Sequence, residues 1–278
     1  MDKLDCKCFG VFGKCVIDSS ANVKLAAKLE VDAAIVLRNQ LKAYRLNFSL
    51  NFHHLWAYSC DTVTLKLFID RLEKFALEAV TLSRKELLDA VSAEVKVCTK
   101  CSLWKTRKNA VPGEGDSETE IMFVGEAPGY WEDVKGKPFV GAAGKFLETL
   151  LCEIGFSRQT VFICNVLKCR PPGNREPSPL EIQTCTPYLN RQIGIIQPKF
   201  IVTLGNYSTA YIFSKAELPF NGITQARGKF YEALILNVRA IVFPTFHPAA
   251  ALYSAKYKEQ LTGDFKKLKQ ELEKRRIV

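Results

Sequence analysis

Histidine is scarce in this 278-residue sequence, which holds only His53, His54 and His247. A zinc site built from a cluster of histidines is thereby excluded after residue 54, where a single imidazole remains. Long apolar runs are missing as well. No stretch approaches the roughly 20 residues that cross a bilayer as a helix, and the opening MDKLDCKCFG is charged rather than signal-like. The expected location is cytoplasmic. The chain has neither an internal repeat nor a low-complexity linker, so solenoid and linker-joined architectures drop out. Acidic residues are the minority charge: 29 Asp and Glu against 39 Lys and Arg give a formal net charge of +10. With 47% hydrophobic residues, this describes a globular chain whose surface attracts polyanions, nucleic acid before an anionic membrane.

What is abundant is cysteine, ten in all. Without a secretory context a disulfide framework is not expected. Cys98-Thr-Lys-Cys101 is a C-x2-C on a polar turn, and Cys169 and Cys185 form a second, wider pair. Four thiolates suit either tetrahedral zinc or an iron-sulfur cluster. The wide second pair departs from the double knuckle of a zinc ribbon and tilts the reading towards the cluster. Cys152 and Cys164 lie in apolar runs and read as small buried hydrophobes. Cys6, Cys8 and Cys15 make a further cysteine-rich patch with no fourth ligand at a plausible spacing.

Residues 1–83 differ from the rest. Val23 to Tyr44 and Leu65 to Val80 have helical periodicity, and His53 and His54, in an aromatic strand-like segment, point to opposite faces. No chemistry emerges there. From Ser83 the pattern sharpens: Ser83-Arg-Lys-Glu86 is a capping box that opens a helix to about Val97. Ile121 to Gly144, IMFVGEAPGYWEDVKGKPFVGAAG, is a strand running into a long loop, with Glu126 at its mouth. Phe139 in that loop either packs on the core or offers a stacking face to a flat ligand. A helix over Gly144 to Ile154 precedes a strand, Thr160 to Leu167, interrupted by Asn165. A buried amide there is either bonded to backbone or waits for a ligand. Lys168 to Arg175 is a stiff basic loop suited to phosphates, and a helix from Ser178 to about Ile196 carries Cys185. Lys199 to Leu204 and Ala240 to Phe246 are further strands, the first followed by a helix from Gly205-Asn206, the second by His247. A basic helix, Lys256 to Arg276, closes the chain. This alternation predicts an α/β fold, a three-layer α/β/α domain around a central, mostly parallel sheet, with Glu126, Asn165, Gly205 and His247 at or near strand ends.

Gly125-Glu-Ala-Pro-Gly129 with Glu132-Asp133, Pro138-Phe-Val-Gly141, Asn165 with Lys168-Cys-Arg-Pro-Pro172, and Phe246-His-Pro-Ala249 occur in that order. Together they resemble the family-4 uracil-DNA glycosylases, the iron-sulfur branch, over about residues 85 to 272. The resemblance implies that 84–278 form a glycosylase domain and leaves 1–83 as an extension of unknown role; deletion of residues 1–79 is expected to leave excision and the cluster intact. It implies a monomer acting on uracil-containing DNA and hydrolysing the N-glycosidic bond to leave an abasic site, with no sliding-clamp partner inferable. Cys98, Cys101, Cys169 and Cys185 would hold a 4Fe-4S cluster of structural purpose. Phe139 would stack on the base, Asn165 would read its edge, and His247 with backbone N–H groups around Ala127 would stabilise the leaving anion. Classical members carry an aspartate where Ala127 stands, so Glu126 or Glu132 takes over the water, or backbone positions it; Glu132 would instead crowd C5 against a methyl group. The carboxylate of Glu126 argues against the family-5 branch. Arg170, Asn174 and Arg175 would meet the DNA backbone, and Leu252 or Tyr253 would fill the gap left by the flipped nucleotide. The competing reading is a non-catalytic DNA-binding module on the same fold, stabilised by iron-sulfur or zinc; a redox protein would have no use for the polar pocket.

Overall fold

A computed structural model of the chain describes residues 82–277. The readings made for the extension, including His53, His54, Cys6, Cys8 and Cys15, lie outside the described residues. The first described helix, α1 (Arg84–Val97), starts at the expected capping box: Ser83 Oγ accepts from the Glu86 N–H at 3.2 Å and the Glu86 carboxylate from the Ser83 N–H at 2.8 Å. It hands the chain directly to Cys98.

Six strands form one sheet: β1 (Glu114–Gly115), β2 (Ile121–Gly125), β3 (Phe162–Asn165), β4 (Phe200–Leu204), β5 (Tyr231–Ile235) and β6 (Val238–Thr245). Their order is β1-β3-β2-β4-β6-β5. The four central strands are mutually parallel, and the two edge strands pair antiparallel. Helices α2 (Tyr130–Lys135) and α3 (Ala142–Glu153) follow β2; α4 (Pro179–Ile196) follows β3; α5 (Asn206–Lys215) and α6 (Ile223–Ala226) follow β4; α7 (Ala255–Lys274) ends the fold.

The alternation of side chains along each strand divides the core in two. Met122, Val124, Cys164, Ile201 and Val242 face α1, α4 and α5, where Val91, Val95, Leu189, Ile193 and Ile212 are buried with them. Ile121, Phe123, Ile163, Val202 and Phe243 face α3 and α7, against Leu147, Leu151, Leu261 and Phe265. This is the expected three-layer arrangement. Every residue of β2 and β4 is buried, and both read as near-continuous apolar runs, broken in β4 only by Thr203, whose hydroxyl bonds Thr209 Oγ1 at 2.8 Å.

Departures from expectation are local. The strand read over Thr160 to Leu167 pairs only from Phe162 to Asn165, because the Val166 and Leu167 N–H groups turn to the carbonyls of Gly125 and Glu126, at 3.0 and 2.9 Å. Cys152 is exposed rather than buried, since α3 turns Leu147, Leu150 and Leu151 inward and leaves position 152 on the solvent side. No described helix is long and apolar enough to cross a membrane.

Candidate functional site

The parallel strands deliver Glu126, Asn165 and His247 to one cavity of about 280 Å³, which Phe139, Ala127 and Asn174 also line. Gly125 sits in register with Asn165 on the adjacent strand. A Cβ at Gly125 would lie 2.3 Å from Asn165 Oδ1 and 2.6 Å from the Phe139 ring, so only glycine leaves room for amide and ring to meet. Asn165 is fully buried and its Oδ1 has no hydrogen-bond partner. Of the two states open to a buried amide, bonding of this oxygen to backbone is not the one observed.

Phe139 packs on the core, as one reading of its position expected, and also lines the cavity. It is buried within the core cluster, and its ring stacks on the His247 imidazole, centroids 5.5 Å apart and planes at 28°. Its backbone is left-handed, with φ 51°, a conformation costing a non-glycine residue about 1–2 kcal/mol. The surroundings hold it there. Arg158 donates from Nη1 to the Phe139 carbonyl at 2.6 Å and from Nη2 to the Pro138 carbonyl, while pairing with Glu114 at 2.5 Å and Glu148 at 3.2 Å. A Cβ at Gly144 would lie 1.9 Å from the Phe139 carbonyl oxygen, so α3 can approach the turn only through a glycine. From the other side Glu132 accepts from the Val140 and Gly141 N–H groups, both at 2.8 Å, and from the Gly129 N–H at 3.1 Å. Both Glu132 oxygens are therefore engaged in bracing the two loops together.

His247 accepts the Ala249 N–H at Nδ1, at 3.2 Å, which leaves the proton of a neutral imidazole on Nε2. Burial pushes its pKa down to about 4, with the Glu132 charge offsetting part of the effect. The ring is thus a neutral donor at physiological pH. Its strand end is anchored from α7: Thr245 Oγ1 donates to Asp264 Oδ2 at 2.7 Å, and Arg227 pairs with the same carboxylate at 2.8 Å while lying 4.9 Å over the Phe246 ring. Glu126 is half-buried, and burial, followed by the charge of Glu176, raises its pKa. Among the described residues its carboxylate makes no hydrogen bond.

The basic loop divides into different roles. Lys168 is buried, not phosphate-facing: Nζ donates to the Asn165 carbonyl at 2.9 Å and to Gln192 Oε1 at 2.7 Å, bracing the strand from behind. Arg175 is committed to Glu181 through two bonds of 2.9 and 2.6 Å, which hold the Glu181 pKa down to about 2. Arg170 bonds Asn174 Oδ1 at 2.7 Å and keeps its charge free of carboxylates among the described residues. Leu252 and Tyr253, just past His247, are 50% and 88% exposed.

Cys98, Cys101, Cys169 and Cys185 line one small recess beside Arg107 and Tyr188. Arg107 Nη1 donates to Cys169 Sγ at 3.1 Å and the Lys168 N–H to Cys185 Sγ at 3.2 Å. Burial raises the Cys101 and Cys169 thiols and pushes Cys185 to about 12, so these sulfurs ionise only against a strong positive partner. No three His, Cys, Asp or Glu side chains among the described residues converge as a single ion requires. Four sulfur donors from three segments, two already receiving N–H bonds, make a thiolate donor set that could hold a metal centre. Sequence reasoning missed Arg158, Asp264 and the bracing use of Glu132 and Lys168. Arg158 and Asp264 meet partners far away in sequence, while Glu132 and Lys168 bond nearby backbone groups that no side-chain pattern announces.

Residues 112–273 match the family model of the uracil DNA glycosylase superfamily. The chain is 54% identical over 192 residues to a type-4 uracil-DNA glycosylase of Saccharolobus solfataricus, covering 69% of this chain and 89% of that one. It is 56% identical to one of Sulfurisphaera tokodaii, over 66% of this chain and 84% of the relative, and 48% identical to one of Archaeoglobus fulgidus, over 66% and 92%.

Proposed function

The chain belongs to the uracil-DNA glycosylase superfamily, within its type-4 members, and from that premise we propose how its residues carry the reaction. It is a base-excision-repair enzyme that removes uracil from DNA. A base stacked in a duplex cannot reach a closed pocket, so the nucleotide must be turned out into it. The observation that carries the assignment is the unpaired Asn165 Oδ1 beside the Phe139 ring. Oδ1 accepts the N3–H of uracil while the amide N–H donates to O4, and Phe139 stacks on the ring. Cytosine offers the opposite pattern at both atoms and would leave buried polar groups unpaired.

Breaking the C1′–N1 bond leaves its electron pair on uracil, spread onto O2. His247, neutral and with its proton on Nε2, donates to that oxygen, helped by the backbone N–H of Ala127. Water adds to C1′ and gives its proton to Glu126, whose carboxylate is free to receive it. Glu132 serves as the brace that fixes the pocket loops rather than as the base. Arg170 and Asn174 meet the DNA backbone, with Leu252 and Tyr253 filling the vacated stack.

Cys98, Cys101, Cys169 and Cys185 would hold a 4Fe-4S cluster, which when bound cross-links three segments of the chain and supplies no redox step. Residues 84–278 form the glycosylase domain, and 1–83 an extension outside it. The test is single-turnover release of uracil from an oligonucleotide. His247→Ala should lower the rate by about 10²–10³-fold, the cost of losing one preorganised donor. An undiminished rate would remove His247 from the reaction.

A further inference from the structure

The turn carrying Glu126 runs into α2, whose first residues, Tyr130 and Trp131, are 47% and 54% exposed. Aromatic side chains of this size are mostly buried, and two exposed neighbours at a pocket rim mark a contact surface. Their rings meet edge to face, with centroids 5.1 Å apart. Two cations converge on Tyr130: Lys108 Nζ lies 5.5 Å and the Arg170 guanidinium carbon 5.3 Å from its centroid. Neither cation forms an ion pair with a carboxylate among the described residues. The face therefore offers an exposed indole beside two positive charges that no carboxylate offsets, and these charges come from separate segments of the chain.

Connectivity brings a DNA strand to this place. A nucleotide seated in the pocket stays covalently joined to its neighbours, so its flanks must leave across the rim, and Gly129, which lines the cavity, directly precedes Tyr130. Charge complementarity selects the occupant, since two free cations against an exposed aromatic suit phosphates and bases together. In a duplex the base faces are covered by stacked neighbours; an indole gains a stacking partner only where the flank is unpaired.

We propose that this face binds the single-stranded flank of the uracil-bearing strand, Trp131 stacking on an unpaired base next to the flipped one while Lys108 and Arg170, held over Tyr130, take the adjoining phosphate. The proposal rests on the glycosylase reading for the strand's identity. It makes α2 a determinant of preference between single- and double-stranded substrate, a property separate from the base recognition in the pocket.

The experiment uses the full chain and one uracil-containing oligonucleotide, alone and annealed to its complement. Affinity for a uracil-free single strand of the same length is measured by fluorescence anisotropy. Trp131→Ala should weaken single-strand binding by about tenfold, the scale of one lost base stack, and lower the ratio of single-strand to double-strand kcat/KM to match. Trp131→Phe, which keeps a flat face, should recover most of both, whereas Trp131→Leu, which keeps bulk alone, should not. Unchanged single-strand affinity, or an equal loss on both substrates, would overturn the proposal. Absence of uracil release by the wild-type chain would instead overturn the glycosylase reading, and the anisotropy measurement would still decide what Trp131 binds.

Discussion

Glu126 and His247 face one cavity with pKa values displaced in opposite directions, and both displacements come from the same cause. Burial penalises the charged form of each, raising the carboxylate above its ordinary 4.5 and lowering the imidazole to about 4. The sign of the pH dependence follows. As pH falls, Glu126 takes up its proton first and loses its capacity as a base, while His247 stays neutral until about pH 4. Single-turnover rates should therefore fall on the acid side through a limb lying above the ordinary carboxylate value. Glu126→Gln should lower the plateau and shift the remaining limb down towards the titration of His247. Rates that instead fall as pH rises through about 6.5, with that limb absent in a His247 variant, would mean that the imidazole acts charged, contrary to its Nδ1 acceptor bond. Asn165 could be singled out in the sequence because an amide inside an apolar strand demands an explanation. Only the structure shows that its Oδ1 is not bonded to backbone.

The turn Pro138 to Gly141 is held at both edges, its carbonyls by Arg158 and its N–H groups by Glu132. That clamp keeps Phe139 in a left-handed backbone conformation that the residue would otherwise leave. Arg158→Met should lower kcat/KM by roughly ten- to a hundredfold, the scale of a displacement of about 1 Å at a reacting group, and Arg158→Lys should recover part of it. In a Phe139→Ala background the same change should cost little more, because both act through one ring. Additive losses would place Arg158 in general stability instead. The central strands and long helices were legible in the sequence, since β2 and β4 are almost wholly apolar and both α1 and α4 begin at capping boxes. The edge strands were not: β1 is two residues long, and β5 alternates half-exposed and exposed positions along YEALI. The short α2 hid inside a loop for the same reason, having too few residues to show a period. Lys168 and Arg175 read as phosphate ligands because burial and the partner Glu181 are properties of the folded chain.

At the scale of the molecule, the four cysteines come from the end of α1, the loop after β3 and α4 to line one recess. Cys101→Ala should remove the visible absorption of a bound iron-sulfur cluster and lower the melting temperature together. A colourless variant as stable as wild type would show that these cysteines are not ligands. The reading proposed for the pocket has the unpaired Asn165 Oδ1 select uracil by its base edge. Base release from otherwise identical oligonucleotides carrying uracil or cytosine at one position tests it most directly. The wild-type chain should release uracil alone. Asn165→Asp, whose protonated or ionised carboxyl no longer presents the fixed amide pattern, should lose uracil release by about 10²-fold or more and narrow the gap between the two bases. Equal rates of uracil release from wild type and Asn165→Asp, with cytosine still refused, would contradict the account.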